Sequence, residues 1–215
     1  MSDPGFDTIE NMMEKHNLSD SLKNDIRDCV KFHTFPAGGL LISVFMVDLA
    51  LENLGAGRGE KLYAVCETHK CAPDPLQVLV HCTYGNHRLR VINTGRFAMT
   101  VNRYSPGDRA EGIRVYVDPE KVRAYPVLNA WFNNVKDKKI KADMEDLLDE
   151  IIKAGRNILS WERVNVHVTS KPKWDSARCA KCGETVPENT LIGGVCLGCG
   201  KLKYYDDIPA GASDQ

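Results

Sequence analysis

No segment of this 215-residue chain is apolar for long enough to cross a bilayer. The longest apolar stretch, Leu40 to Val47, is interrupted by Ser43 and closed by Asp48, whereas a spanning helix needs about 20 such residues. An export signal is also missing: Met1-Ser2-Asp3-Pro4-Gly5-Phe6-Asp7 is acidic and has no apolar h-region. Net charge is nearly absent, with 28 Lys and Arg against 29 Asp and Glu, a formal -1. That balance excludes a histone-like or polybasic protein and leaves only local patches for anionic partners. Internal repeats and low-complexity tracts are absent apart from two cysteine knuckles. These absences predict a cytoplasmic protein with no membrane span. In a reducing cytosol its eight cysteines read as metal ligands or free thiols, not disulfides.

What the chain does have is globular composition, 43% hydrophobic and 27% charged, and enough length to bury a core without disulfide staples. Phe6, Ile9, Met13 and His16 fall at helical spacing. Leu22, Ile26, Cys29 and Val30 repeat it behind the cap candidates Ser19 and Asp20. Phe35-Pro36-Ala37-Gly38-Gly39 breaks the pattern before the most apolar helix, Leu40 to Leu54, with Gly55 past its end. That helix is apolar on every azimuth. Leaving one face of it in water forgoes roughly 1.5–3 kcal/mol per side chain, so a two-fold partner is expected to cover it.

Leu62 to Glu67 predicts a strand. Asp74-Pro75 announces a helix running to about Cys82 and stopping at Gly85. Three alternating runs follow, ending on Leu89 and Val91, on Phe97 to Val101, and on Ile113 to Val117, with Ser105-Pro106-Gly107-Asp108 as a turn before the last. Asp118-Pro119 starts more helix. Lys136-Asp137-Lys138-Lys139 reads as a solvated helix start, and Ile140, Met144, Leu147, Leu148, Ile151 and Ile152 form one stripe ended by Gly155. Val164, Val166 and Val168 alternate once more. Helices, then strands, then helix again is α+β, with a mainly antiparallel sheet. Composition changes at Ser170-Lys171-Pro172-Lys173, so the chain divides into a core domain, 1–170, and a small zinc-ribbon domain, 171–215.

Cys179-Ala180-Lys181-Cys182-Gly183 and Cys196-Leu197-Gly198-Cys199-Gly200 are two C-x-x-C-G knuckles. A two-residue gap lets two thiolates converge on one ion, and the glycine after each pair supplies a turn. Cys179, Cys182, Cys196 and Cys199 therefore predict a tetrahedral Zn²⁺ site, with rubredoxin-type iron as the rival occupant. About 45 residues build little core, so the metal is expected to supply most of this domain's folding free energy, roughly 10–16 kcal/mol in comparable peptides.

Further blocks carry a resemblance. Phe32-His33-Thr34-Phe35-Pro36-Ala37-Gly38-Gly39 precedes the apolar helix. Glu67-Thr68-His69-Lys70-Cys71-Ala72-Pro73-Asp74-Pro75-Leu76-Gln77 follows the first strand, and Cys82-Thr83-Tyr84-Gly85 comes next. Together they resemble the E-subunit family of formylmethanofuran dehydrogenase over about residues 20 to 120. That family's blocks run Phe-His-Gly-His-x-Cys-Pro-Gly, Glu-x-Asp-x-Cys-x-x-Asp-Ala-x-Gln and Cys-Thr-x-Gly. The first block departs from it: the family's second histidine falls on Phe35, its cysteine on Ala37 and its proline on Gly38.

The resemblance implies an α+β core in intertwined homodimers, with a zinc ribbon in some members. The namesake is a molybdenum- or tungsten-pterin complex that reduces CO₂ onto methanofuran, and its pterin is carried by a different subunit from this one. Membership transfers no activity by itself, so an accessory or regulatory role is expected, in a homodimer, a larger enzyme complex or with another protein partner. The family's histidine and cysteine pattern implies a second metal site here, at His33, Cys71 and Cys82. His69 stands where the family has Asp and completes a His33, His69, Cys71 and Cys82 set.

Two other function classes compete. A zinc ribbon can belong to a nucleic-acid-binding or protein-binding transcriptional regulator, although six Lys/Arg and six Asp/Glu from Lys171 on make a thin electrostatic footprint. A metal- or thiol-dependent enzyme could use the core Cys/His cluster, although no protease or transferase signature surrounds it. Arg88, Arg90, Arg96, Arg103, Arg109 and Arg114 crowd the strands. They read as an exposed face paired with the acidic first 30 residues, with an anion at Arg88 and Arg90 as the sharper alternative. Trp131, Trp161 and Trp174 read as packing anchors.

Overall fold

The computed structural model describes residues 4–135, 143–169 and 173–206. The chain divides into two units, Met1–Val168 and Thr169–Gln215. Ser170-Lys171-Pro172, where the sequence suggests a boundary, and the stretch Lys136-Asp137-Lys138-Lys139-Ile140 lie outside the described residues.

The first unit is α+β. It opens with α1 (Pro4–Lys15) and α2 (Asp20–His33), the second begun by Ser19, whose hydroxyl accepts the Leu22 N–H at 3.3 Å. Next come α3 (Gly38–Leu54), β1 (Leu62–Cys66), α4 (Pro73–Val80), β2 (Leu89–Val91), β3 (Ala98–Arg103) and β4 (Arg109–Val117). Then α5 (Pro119–Val122), α6 (Pro126–Phe132), α7 (Met144–Ala154) and β5 (Leu159–His167) complete it. The sheet order is β2-β1-β3-β4-β5. β1 and β2, joined through α4, are parallel; β1–β3, β3–β4 and β4–β5 are antiparallel. The sheet curls so far that Arg90 on one edge strand donates to the His167 carbonyl on the other at 2.8 Å.

Helix boundaries depart from the sequence reading for local steric reasons. α3 starts on Gly38 rather than Leu40. A Cβ at Gly38 would lie 3.0 Å from Ile151 Cδ1, and one at Gly39 only 3.2 Å from Cys71 Sγ. The two glycines are a close approach of α7 and Cys71 to the first turn of the helix, not a break before it. α4 starts at Pro73, with Ala72 rather than Asp74 at the cap position, and ends at Val80 with His81 at φ 53° just beyond it, short of Gly85. β5 begins five residues before Val164, and α6 has no counterpart in the sequence pattern.

The expectation that α3 needs a partner is corrected. Leu40, Leu41, Val44, Met46, Val47 and Ala50 are fully buried within one chain. α2, α4 and α7, strands β3 and β4, and the 3-10 turn Gly155–Ile158 surround the helix. A helix apolar all round can be a domain's central element as well as an interface.

The strand arginines also find partners other than those expected. Arg103 pairs with Glu60, while Arg96 and Arg114 both reach Glu67, at 2.6 Å each, and Arg114 also reaches Glu162 at 2.9 Å. Burial would raise the Glu67 carboxyl, but the two guanidiniums overcome it and hold the group below its ordinary range. The tryptophans are not buried anchors: Trp131, Trp161 and Trp174 are 45%, 43% and 49% exposed.

Candidate metal centre

In the second unit β6 (Ser176–Arg178) pairs with β7 (Thr185–Pro187), and β8 (Leu191–Ile192) with β9 (Val195–Cys196). The first knuckle is the turn between β6 and β7; the second follows β9. Each knuckle closes with a glycine N–H on the carbonyl of its leading cysteine, Gly183 on Cys179 at 2.9 Å and Gly200 on Cys196 at 3.1 Å. Gly183 sits at φ 76°, where a side chain would strain the backbone.

The turns draw four sulfurs together. The ligand atoms of Cys179, Cys182, Cys196 and Cys199 all lie within 4.8 Å of one another, and the sulfurs of Cys182 and Cys196 are 3.9 Å apart. Backbone N–H groups aim at them. Cys196 and Lys181 donate to Cys179 Sγ at 3.3 and 3.4 Å, and Cys199 donates to Cys196 Sγ at 3.4 Å. The Cys196 N–H leads in pulling the Cys179 thiol down to about 6. Opposite Cys179, the neighbouring Cys182 pushes Cys199 up to about 12. Four adjacent thiolates repel unless a cation sits among them, and N–H donors to sulfur favour the charged form. The donor set thus fits a soft-accepting divalent ion with tetrahedral preference. A closed four-sulfur set holds such an ion structurally and leaves no position open for chemistry.

The core residues are arranged differently. Among the described residues, the ribbon cysteines are the group of three or more potential ligands that lie this close together. His33, His69, Cys71 and Cys82 are not brought together. Cys82 is fully buried and points into the core, its thiol donating to the Leu62 carbonyl at 3.2 Å, and burial pushes it up to about 11. His69 lies exposed in the loop after β1, because the strand ends at Cys66 and its alternation does not extend to residues 69 and 71.

Cys71 is half-buried against the first turn of α3, below Gly39. Burial, with Asp74 adding to it, raises the thiol above its ordinary range. His33, the last residue of α2, bonds Asp74 instead, Nδ1 to Oδ2 at 2.6 Å, and makes a tilted ring contact with Phe35, centroids 4.7 Å apart. The sequence reading takes Asp74 as a helix cap within the family-like block, whereas in the structure it is the histidine's partner; its place three residues after Cys71 in that block is the signal that could have singled it out.

Known proteins share this architecture. The model of the FmdE family, "FmdE, Molybdenum formylmethanofuran dehydrogenase operon", matches residues 32–167. The chain belongs to this family. A solved relative is a tungsten formylmethanofuran dehydrogenase FmdE-like protein from Syntrophus aciditrophicus. It is 34% identical, with a TM-score of 0.72, over 86% of this chain and 95% of that one. A curated relative, from Archaeoglobus fulgidus, is a probable S-adenosyl-L-methionine-binding protein. It is 28% identical over 209 residues, 89% of this chain, but the match spans only 56% of that protein's length.

Proposed function

We propose that this FmdE-family chain is a cytoplasmic, homodimeric metal-binding protein with an accessory or regulatory role, its ribbon closed on a structural zinc ion. The observation that carries this reading is the four-sulfur cluster within 4.8 Å, with backbone N–H donors aimed at its sulfurs. Zinc is preferred to iron because a small ribbon with four thiolates is the usual setting of structural zinc.

The core offers little to an enzyme. Its half-buried thiol, Cys71, is raised rather than activated, while a nucleophilic cysteine needs a lowered pKa. His33 is engaged by Asp74 rather than by the thiol. A nucleic-acid role has equally thin support, since the ribbon's basic and acidic residues balance.

Dimerisation draws support from β5. It stands at the sheet's edge, nine residues long, with Trp161, Arg163, Asn165 and His167 exposed along it. Long edge strands invite pairing with another chain. No helix among the described residues is long and apolar enough to cross a membrane.

Elemental analysis of protein purified anaerobically tests the metal. One zinc per chain, lost in Cys179→Ser, is the expected result. Metal-free protein with a folded ribbon refutes it. Light scattering at micromolar concentration tests the dimer, expected at twice the 24.0 kDa chain mass; a monomer refutes that part.

A further inference from the structure

A groove of about 500 Å³ opens where the sheet outruns the helix that covers it. On β4, Ile113 and Val115 lie buried beneath α3. Alternation puts Arg109 and Glu111 on the same face, but α3 stops at Leu54, so these residues line open space instead. The β4–β5 register pairs Ile113 with Arg163 and Glu111 with Asn165. Arg163 and Asn165 therefore belong to this face as well. All four line the groove, with Arg103 and Tyr104 closing it at the end of β3.

The three arginines differ in what they are bound to. Arg103 is saturated: it pairs with Glu60 and donates to the Leu54 and Gly55 carbonyls at 2.9 and 2.8 Å. It thereby neutralises the negative end of α3 that would otherwise repel an anion from the groove. Arg109 and Arg163 make no side-chain hydrogen bond or ion pair among the described residues, although Glu111 stands on the same face between them. Two free guanidiniums on rigid strands offer planar forks that match phosphate or carboxylate oxygens.

Their spacing defines the ligand. Arg163 faces Ile113, four residues along β4 from Arg109, so the two Cα atoms lie about 14 Å apart along the ladder at about 3.4 Å per residue. Both side chains are long enough to swing toward the midpoint, but the acid between them disfavours negative charge there, so two separate anionic groups are favoured over one bridging anion. We propose that this groove binds an elongated small molecule with an anionic group at each end and a neutral or cationic middle, the chemistry shared by bisphosphates and long dicarboxylates. The volume suits a ligand of that size. The site lies within the first unit and shares Arg163 and Asn165 with the β5 edge proposed above; it uses their side chains, whereas edge pairing uses the strand's main chain, so neither proposal rests on the other.

Calorimetric titration of the full-length, zinc-replete protein with fructose 1,6-bisphosphate, fructose 6-phosphate and suberate tests it at low salt. The bisphosphate or the dicarboxylate should bind at least tenfold tighter than the monophosphate, and which of the two binds better identifies the end groups. Arg109→Gln and Arg163→Gln should each reduce that ligand to the affinity of the monophosphate. Glu111→Gln should tighten every anion severalfold, a gain that no merely structural role of Glu111 produces. Unchanged melting temperatures in these variants verify that the fold is intact. Absence of saturable binding by all three probes at 5 mM, equal affinity for one-ended and two-ended probes, or binding unchanged in the double arginine variant overturns the proposal.

Discussion

Asp25 should give this protein an inverted pH dependence at one carboxylate. The side chain lies on α2, 2% exposed, and pairs with Arg58. Burial is the largest influence on it. Together with Asp48 and Asp28 it outweighs the Arg58 charge and raises the carboxyl from 3.8 to about 6. The difference corresponds to roughly 3 kcal/mol. The folded chain holds this proton more tightly than the unfolded one. The stabilisation is therefore complete below about pH 4 and is lost as pH rises to about 6. Asp25→Asn removes the titration while Arg58 stays charged throughout, so the pH-dependent part of the difference between the two proteins reports the net Asp25 shift, with the Arg58 attraction already included in it.

Urea unfolding of both proteins at pH 4, 5, 6 and 7 supplies the assay. Carboxylates such as Glu10 and Asp149, held below their ordinary range by Arg27 and by Lys15 with His16, weaken both proteins alike on acidification and cancel in the comparison. The stability of the natural chain minus that of the variant should fall by up to about 3 kcal/mol from pH 4 to pH 7. A difference that stays flat, or grows with pH, refutes the reasoning that desolvation dominates over Arg58.

Three further outcomes follow from other parts of the molecule. Leu41→Ala or Met46→Ala should cost about 2–5 kcal/mol, and because α3 is covered within one chain the cost should be the same at 1 µM and at 100 µM in unfolding titrations. A strong chelator should erase the amide signals of residues 173–206 in a heteronuclear spectrum while those of the core persist, if the proposed metal supplies the ribbon's folding free energy. Glu67→Gln leaves Arg96 and Arg114 without their shared acid and should destabilise by about 1–3 kcal/mol, less at high salt, as read by thermal unfolding.

The ribbon is fully legible in the sequence because its chemistry is local. Two knuckles and their glycines specify the turns that aim four sulfurs at one point, and no distant residue is needed. Most strands are legible for a related reason, since alternation such as Met99 and Val101 against Ile113 and Val115 survives in any sheet with one covered face. The core set of His33, His69, Cys71 and Cys82 is not legible, because whether they meet depends on where β1 stops and which way Cys82 turns. β1 stops at Cys66, and Cys82 turns inward to the Leu62 carbonyl. The glycines at 38 and 39 resemble a helix break for a parallel reason: their role is set by Ile151 and Cys71, residues far off in the chain that no local pattern displays.

The burial of α3 changes where an interaction surface must be sought. Had that helix been an interface, association would be obligatory, because roughly 1.5–3 kcal/mol per exposed side chain exceeds what a small domain has in reserve. With the helix enclosed by its own chain, any dimer forms between units that already have complete cores. The proposed dimer would then draw its contacts from surface features such as the edge of β5 and the half-exposed Trp131 and Trp161. Pairing of that kind adds main-chain hydrogen bonds and modest apolar area, so it can be made and unmade without unfolding either partner. The accessory role proposed above would require that property, and an intertwined hydrophobic helix at the interface would deny it.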